Sequence, residues 1–199
     1  MFVLSFDIGV KNLAYCYFQY DKDTDITRIH KWGILDISSS EKSNQSIILL
    51  DQLDNHFSEL EIDYVVIENQ PALKNPIMKT IQVMVYTFFQ YQAILLKKHF
   101  DVHIINARNK IKNAEKIMKE YGCEEIKCKT LTTNKYKWNK EASILYTRQF
   151  LECKNLEDDL AFFNKFKKKD DLADTLLQGL YFVHLTSTTE PTRTTSSIE

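Results

Sequence analysis

Apolar and polar positions fall into two kinds of block along this chain. Residues 2–6 and 64–67 are short runs of Val, Ile, Leu and aromatic side chains, and each reads as a core strand. Residues 12–19 alternate into a second strand, Asp21-Lys-Asp-Thr-Asp25 is a polar hairpin turn, and 27–36 gives a third. The opening third is therefore expected to be an antiparallel meander. Residues 43–60 carry Ile47, Leu50, Leu53 and Phe57 at helical spacing, and this helix leads to the 64–67 strand, which is expected to pair parallel with the first. Pro71 and Pro76 delimit a loop before a long helix at 78–99. A further strand is expected at 102–106, then helices near 110–120, 140–152 and 159–184. The 78–99 helix, with Ile81, Val85, Phe89, Tyr91, Ile94 and Leu95 among its apolar residues, has more than one stripe can use. It is either a central core helix or a helix with a second, intermolecular face.

Both core strands end on an acid. Asp7 closes the first run before Gly9, and Glu68 closes the run Tyr64-Val-Val-Ile-Glu68. Asp171 and Asp174 are spaced i, i+3, which places both on one face of a helix. Singly, each has an ordinary explanation as a turn residue, a loop acceptor, or a solvated acid favoured by a helix N-terminus. Together, in the order strand acid, strand acid, helix acid, they are the oxygen donors that a hard cation such as Mg²⁺ or Mn²⁺ takes as ligands.

Three segments carry a resemblance to a known family. Asp7-Ile-Gly-Val-Lys-Asn12 with Ala14, then Ile67-Glu-Asn-Gln-Pro71, then Lys168-Lys-Asp-Asp-Leu-Ala-Asp-Thr-Leu-Leu-Gln178 resemble the signature blocks of the Holliday-junction resolvases of poxviruses and related large DNA viruses. Those enzymes are similar to bacterial RuvC and the fungal mitochondrial resolvases, within the RNase H-like superfamily. The resemblance implies an α/β RNase H-like fold whose mixed sheet has three antiparallel strands followed by parallel ones, flanked by helices. One nuclease domain is expected over 1–185, and 186–199, polar and low in apolar residues, is expected to be a disordered tail. Asp7, Glu68, Asp171 and Asp174 are then the metal-binding and catalytic acids, holding Mg²⁺ or Mn²⁺, two ions per site. The family's spacing favours Asp171 over its neighbour Asp170. Lys110 and Lys140 resemble the lysines such enzymes place near the scissile phosphate, with Lys112 an alternative to the first and Lys135 or Lys137 to the second. The implied partners are a branched, four-way DNA junction and a second copy of the chain, and the implied setting is viral DNA recombination and concatemer resolution in the host cytoplasm.

A chain of 199 residues, 44% apolar, is long enough for one well-filled domain. No stretch approaches the roughly 18 apolar residues of a membrane span. The first strand starts almost at Met1, so an intracellular protein without a leader is expected. Cys16, Cys123, Cys128 and Cys153 lack the paired spacing of a zinc site and are read as reduced thiols. His99 and His103 read as surface residues. The net charge of −1 conceals an asymmetry: ten Lys/Arg face four Glu between Arg108 and Lys140, while ten acids face four bases between Asp21 and Asp63. Lys165-Phe-Lys-Lys-Lys169 adds four positives beside Asp171. One basic face could follow phosphates, with Lys135, Lys137, Trp138, Lys167 and Lys168 as DNA-contacting candidates and the Trp138 ring able to stack on an unpaired base.

Other classes make specific demands. An actin-like or sugar-kinase ATPase also begins with an acid and Gly, but needs a second Gly-rich phosphate loop. Only Gly9, Gly33, Gly122 and Gly179 occur here. A non-catalytic junction binder would not need four acids, and a broader flap or fork nuclease would keep the same site with a different substrate.

Overall fold

The computed structural model describes residues 1–22, 26–41, 44–106, 108–123 and 134–189. In chain order the elements are β1 (Phe2–Asp7), β2 (Leu13–Asp21), β3 (Ile26–Leu35), α1 (Gln45–Phe57), β4 (Tyr64–Glu68), α2 (Pro76–Leu96), β5 (Asp101–Ile105), α3 (Arg108–Glu120), α4 (Lys135–Cys153), α5 (Glu157–Lys165) and α6 (Lys169–Thr189). They form one mixed sheet in the order β3-β2-β1-β4-β5. The first three strands are antiparallel, and β1, β4 and β5 run parallel. This is the expected RNase H-like arrangement.

Strand parity decides which face each residue serves. On β1, Leu4 and Phe6 point to the side covered by α1 and α2, where they pack with Val65, Ile67, Leu49, Leu53, Phe57, Val85 and Phe89. Val3 points to the other side, into a core with Val66, Phe18, Phe150, Leu172, Leu176 and Leu180. Asp7 shares the parity of Val3, and Glu68 that of Val66. Parallel register pairs Phe6 with Ile67, so the two acids are the next residues on neighbouring strands. Both face the side where α6 packs.

Several boundaries differ from expectation, each for a local reason. The helix expected over 159–184 is two helices. Phe166 is extended (φ −77°, ψ 140°) and its ring packs on Phe162 at 4.8 Å, so the chain turns there without Gly or Pro. The second of these helices, α6, continues to Thr189, past the expected domain limit at 185, and the tail from 190 lies outside the described residues. Pro76 at the start of α2, with the Asn75 side chain accepting from the Met78 amide at 3.4 Å, begins that helix two residues early. Nor is α2 buried all round: Ile81, Gln82, Val85 and Phe89 face the sheet, whereas Val83, Tyr91, Ile94 (75% exposed) and Leu95 face outward. The central-core-helix reading is thereby overturned. His103 also departs from expectation, since its ring packs against Tyr64 and Phe182. Cys16, Cys123 and Cys153 are free thiols, and Cys128 lies outside the described residues. Among the described residues no helix is long and apolar enough to cross a membrane.

Close seating of α6 on the sheet requires Gly179, because a Cβ there would stand 2.4 Å from the buried Phe18 ring. Gly179→Ala is expected to lower the unfolding free energy by about 1–2 kcal/mol, as overpacking outweighs the helix-propensity gain of about 1 kcal/mol. Urea denaturation checks this, and an unchanged or raised midpoint would contradict the seating.

Candidate active site

Three elements deliver the acids. Asp7 and Glu68 end β1 and β4, where the parallel strands stop and the backbone opens toward solvent, and Asp171 and Asp174 lie in the first two turns of α6. The α6 side is anchored by Gln178, one turn beyond Asp174. Its buried amide Nε2 donates to Phe6 O at 2.9 Å, Ser5 Oγ at 3.1 Å and Val66 O at 3.3 Å, joining α6 to the backbone just before both strand acids. Trp32 Nε1 adds a second tie, donating to Leu172 O and Thr175 Oγ1, each at 3.2 Å.

At the centre stands Lys110, on α3. Its side chain is 5% exposed, and its ammonium lies 3.1 Å from Asp174 Oδ2 and 3.5 Å from Glu68 Oε1. Burial alone would favour the neutral amine, but Asp174, Glu68 and Asp7 hold it charged and raise its pKa. Asp7 is pushed well above the usual carboxylate range, first by burial and then by the neighbouring charge of Glu68, with which it shares a hydrogen bond. Burial also acts to raise Glu68, yet the hydrogen bond from Asp7 and the Lys110 ammonium outweigh it and hold Glu68 below its ordinary value. The charged forms of two carboxylates this close repel each other, and burial adds to the cost of ionising Asp7.

Asp174 is held on its other oxygen by Ser143 Oγ, 2.7 Å from Oδ1. Lys140 pairs with Asp170, not with Asp171. Asp171, one turn before Asp174, is raised by burial and by Asp170, and its Oδ2 is enclosed without a hydrogen-bond partner. Among the described residues no three His, Cys, Asp or Glu side chains converge as a preformed ligand shell, and the Lys110 ammonium stands between Glu68 and Asp174. The donor set nevertheless suits a divalent cation. It consists of hard carboxylate oxygens, two of them on neighbouring residues that repel when ionised and one enclosed without a donor.

The structure brings Asp7, Glu68, Asp174 and Lys110 together, with Asp171 and Lys140 alongside. Lys112, the alternative to Lys110, is exposed. Lys137 is exposed and lies 3.8 Å from Glu141, while Lys167 and Lys168 are exposed on the connection into α6. Trp138 is not a free stacking platform: it is half-buried against the α4 and α6 core, with Nε1 enclosed. The Lys135 side chain and residues 124–133 lie outside what the structure describes. Sequence reasoning missed Ser143, Gln178 and Gln70, whose Nε2 donates to Glu68 Oε2 at 3.0 Å. Gln178 carried a signal, being a polar residue four positions after Asp174 in an otherwise apolar stretch.

The fold is that of the RuvC-like junction nucleases. The yeast mitochondrial Holliday junction resolvase Ydc2 superposes with a TM-score of 0.64 at 16% identity, over 93% of this chain and 80% of that one. The fowlpox virus resolvase, solved with substrate Holliday junction DNA, gives a TM-score of 0.57 at 19% identity, over 96% of this chain and 100% of that one. Residues 1–186 match the Poxvirus A22 protein family, and the chain belongs to it. An uncharacterized protein of Acanthamoeba polyphaga mimivirus, L451, is 38% identical over 138 residues, which are 67% of this chain and 32% of that protein. The chain therefore spans about a third of the length of this curated relative.

Lys110→Met in EDTA is expected to lower stability by about 2–3 kcal/mol at about pH 7, because it strands partly buried carboxylates. The sign with pH follows from Glu68, whose folded pKa lies below its unfolded value. Its contribution is present above the ordinary Glu pKa and is lost as pH falls through the folded one. The gap between wild type and variant should accordingly close below about pH 4. Urea titrations at about pH 7 and about pH 3 check this. An equal gap at both would assign the loss to packing of the lysine stem.

Proposed function

We propose that the chain is a metal-dependent, structure-selective endodeoxyribonuclease that resolves four-way DNA junctions by paired symmetric nicks. The observation that carries this reading is the convergence of acids from β1, β4 and α6 around the buried Lys110. Membership of the Poxvirus A22 protein family and the likeness to resolvases of yeast and fowlpox virus support the substrate class.

In this mechanism Asp7, Glu68, Asp171 and Asp174 hold Mg²⁺, two ions per site, with Mn²⁺ able to substitute. When bound, Mg²⁺ supplies a water of lowered pKa and Lewis-acid stabilisation of the leaving 3′ oxygen. The protein's own groups do the rest. Gln178 holds α6 against the strand ends and Ser143, on α4, fixes the Asp174 carboxylate, so that the acids meet the phosphate in fixed geometry. Lys110 and Lys140 place positive charge beside the acids, where it offsets negative charge building on the phosphate oxygens. Lys135, Lys137, Lys167 and Lys168 contribute contacts to backbone phosphates, from which most junction affinity comes. Trp138 contributes chiefly by fixing α4.

Asp7→Asn and Glu68→Gln are each expected to reduce cleavage of a labelled four-way junction by at least about a thousandfold while junction binding stays within a few-fold. The assay compares junction, replication fork and linear duplex, with Mg²⁺ or EDTA. Cutting by Asp7→Asn at the wild-type rate would refute the mechanism. Equal cutting of forks and junctions would replace it with a broader branched-DNA nuclease, and tight binding without cleavage would leave a junction-binding protein.

Resolution of a two-fold junction requires two coordinated sites. The outward apolar stripe of α2, with Val83, Tyr91, Ile94 and Leu95, supports a homodimer whose copies pair through this helix. A Val83→Arg, Ile94→Arg variant is expected to sediment as a monomer where the wild type sediments as a dimer. Its circular dichroism should be native, and its two nicks on a junction uncoupled. A variant that stays dimeric would move the interface elsewhere.

A further inference from the structure

Gln82 is a polar residue whose burial the packing of the fold does not explain. Its neighbours on the sheet-facing side of α2 are Ile81, Val85 and Phe89, yet Gln82 is itself fully buried, and its amide Nε2 has no hydrogen-bond partner. An apolar residue of the same length would avoid that desolvation cost. The other end of the amide accounts for its presence. Gln82 Oε1 accepts from the Gln70 backbone amide at 2.7 Å and from Lys79 Nζ at 3.1 Å. Lys79 also donates to Asn69 Oδ1 at 3.2 Å, so both residues that follow Glu68 are tied to the first turns of α2. From its fixed backbone, Gln70 sends Nε2 to Glu68 Oε2 at 3.0 Å. The opposite oxygen, Oε1, faces Lys110 at 3.5 Å.

We infer that Gln82 is a positioning residue for Glu68: through the Gln70 backbone it fixes the carboxylate's orientation toward the metal, and Lys79 steadies the same acceptor. This rests on the reading of Glu68 as a metal ligand. Groups that hold a ligand's second oxygen set where the first one points, and their loss weakens metal binding without touching the ligand itself. Gln70 alone is not sufficient, because its side chain springs from a loop and can aim at Glu68 only when the loop backbone is pinned. Gln82 supplies that pin from a rigid helix.

The test is calorimetric titration of Mn²⁺ into wild type, Gln82→Leu, Gln82→Glu and Gln70→Met, with urea unfolding of each. Gln82→Leu is expected to stay folded, since the two hydrogen bonds it loses at Oε1 are offset in part by removal of the buried unpaired amide, while losing about tenfold in Mn²⁺ affinity. Gln82→Glu keeps an acceptor for the Gln70 amide and an ionic partner for Lys79, and should restore most of the affinity. Gln70→Met should show the same loss as Gln82→Leu, and it reports on the same path if Gln82→Leu does not fold. Wild-type affinity in folded Gln82→Leu or in Gln70→Met would overturn the inference alone. A loss of affinity in both Gln82 variants that merely tracks loss of stability would reduce Gln82 to a structural residue. Absence of Mn²⁺ binding by the wild type would instead remove the metal site on which the inference stands.

Discussion

The site depends on one constraint, the parallel register of β1 against β4. Because side chains alternate from face to face, pairing Phe6 with Ile67 puts Asp7 and Glu68 side by side on the face that α6 covers. A slip of one residue would turn one acid toward the aromatic core under α1 and α2, where nothing could pair with it. The register is held on both sides at once: Leu4, Phe6, Val65 and Ile67 fill one core, and Val3 and Val66 fill the other. The juxtaposition of the two acids is thus a by-product of how two short apolar strands must pack.

Register brings the carboxylates together, and electrostatics then determines what must accompany them. Several acids in a partly buried space repel one another, and the fold answers with Lys110, with a raised Asp7 pKa, and with neutral donors from Gln70 and Ser143. No single device suffices. The ammonium pairs directly with Glu68 and Asp174, and Asp171 Oδ2 is left without a donor. The centre is stable enough to fold and still short of positive charge, which is the condition a cation-binding site needs.

Much of this was legible in the sequence, and the limits have physical causes. A strand that ends on an acid is conspicuous because core strands otherwise end on turn residues, so Asp7 and Glu68 stood out, and the i, i+3 pair Asp171 and Asp174 stood out on a helix. The break between α5 and α6 left no mark, since Phe166 ends the first helix by packing on Phe162 and neither Gly nor Pro is needed. A polar residue on a helix is ordinarily read as solvent-facing, which hid Gln82 inside the core-facing stripe of α2. Trp138 looked like a DNA contact because it lies among lysines, but helical spacing turns it inward while Lys137 faces out. Periodicity reports which residues are apolar, and it does not report which polar residue a particular buried carbonyl or carboxylate will recruit.

The placement of α6 carries a consequence for the chain as it is made. Gln178 bonds to Ser5, Phe6 and Val66, so contacts that complete the site join strands that come early in the chain order to the last described helix. Until that helix has emerged and docked, the five strands can assemble with only two of the four acids in place. A nascent or prematurely terminated chain therefore carries much of the sheet without a complete set of acids. The order of elements along the polypeptide thereby makes completion of the acid cluster wait on the last described helix.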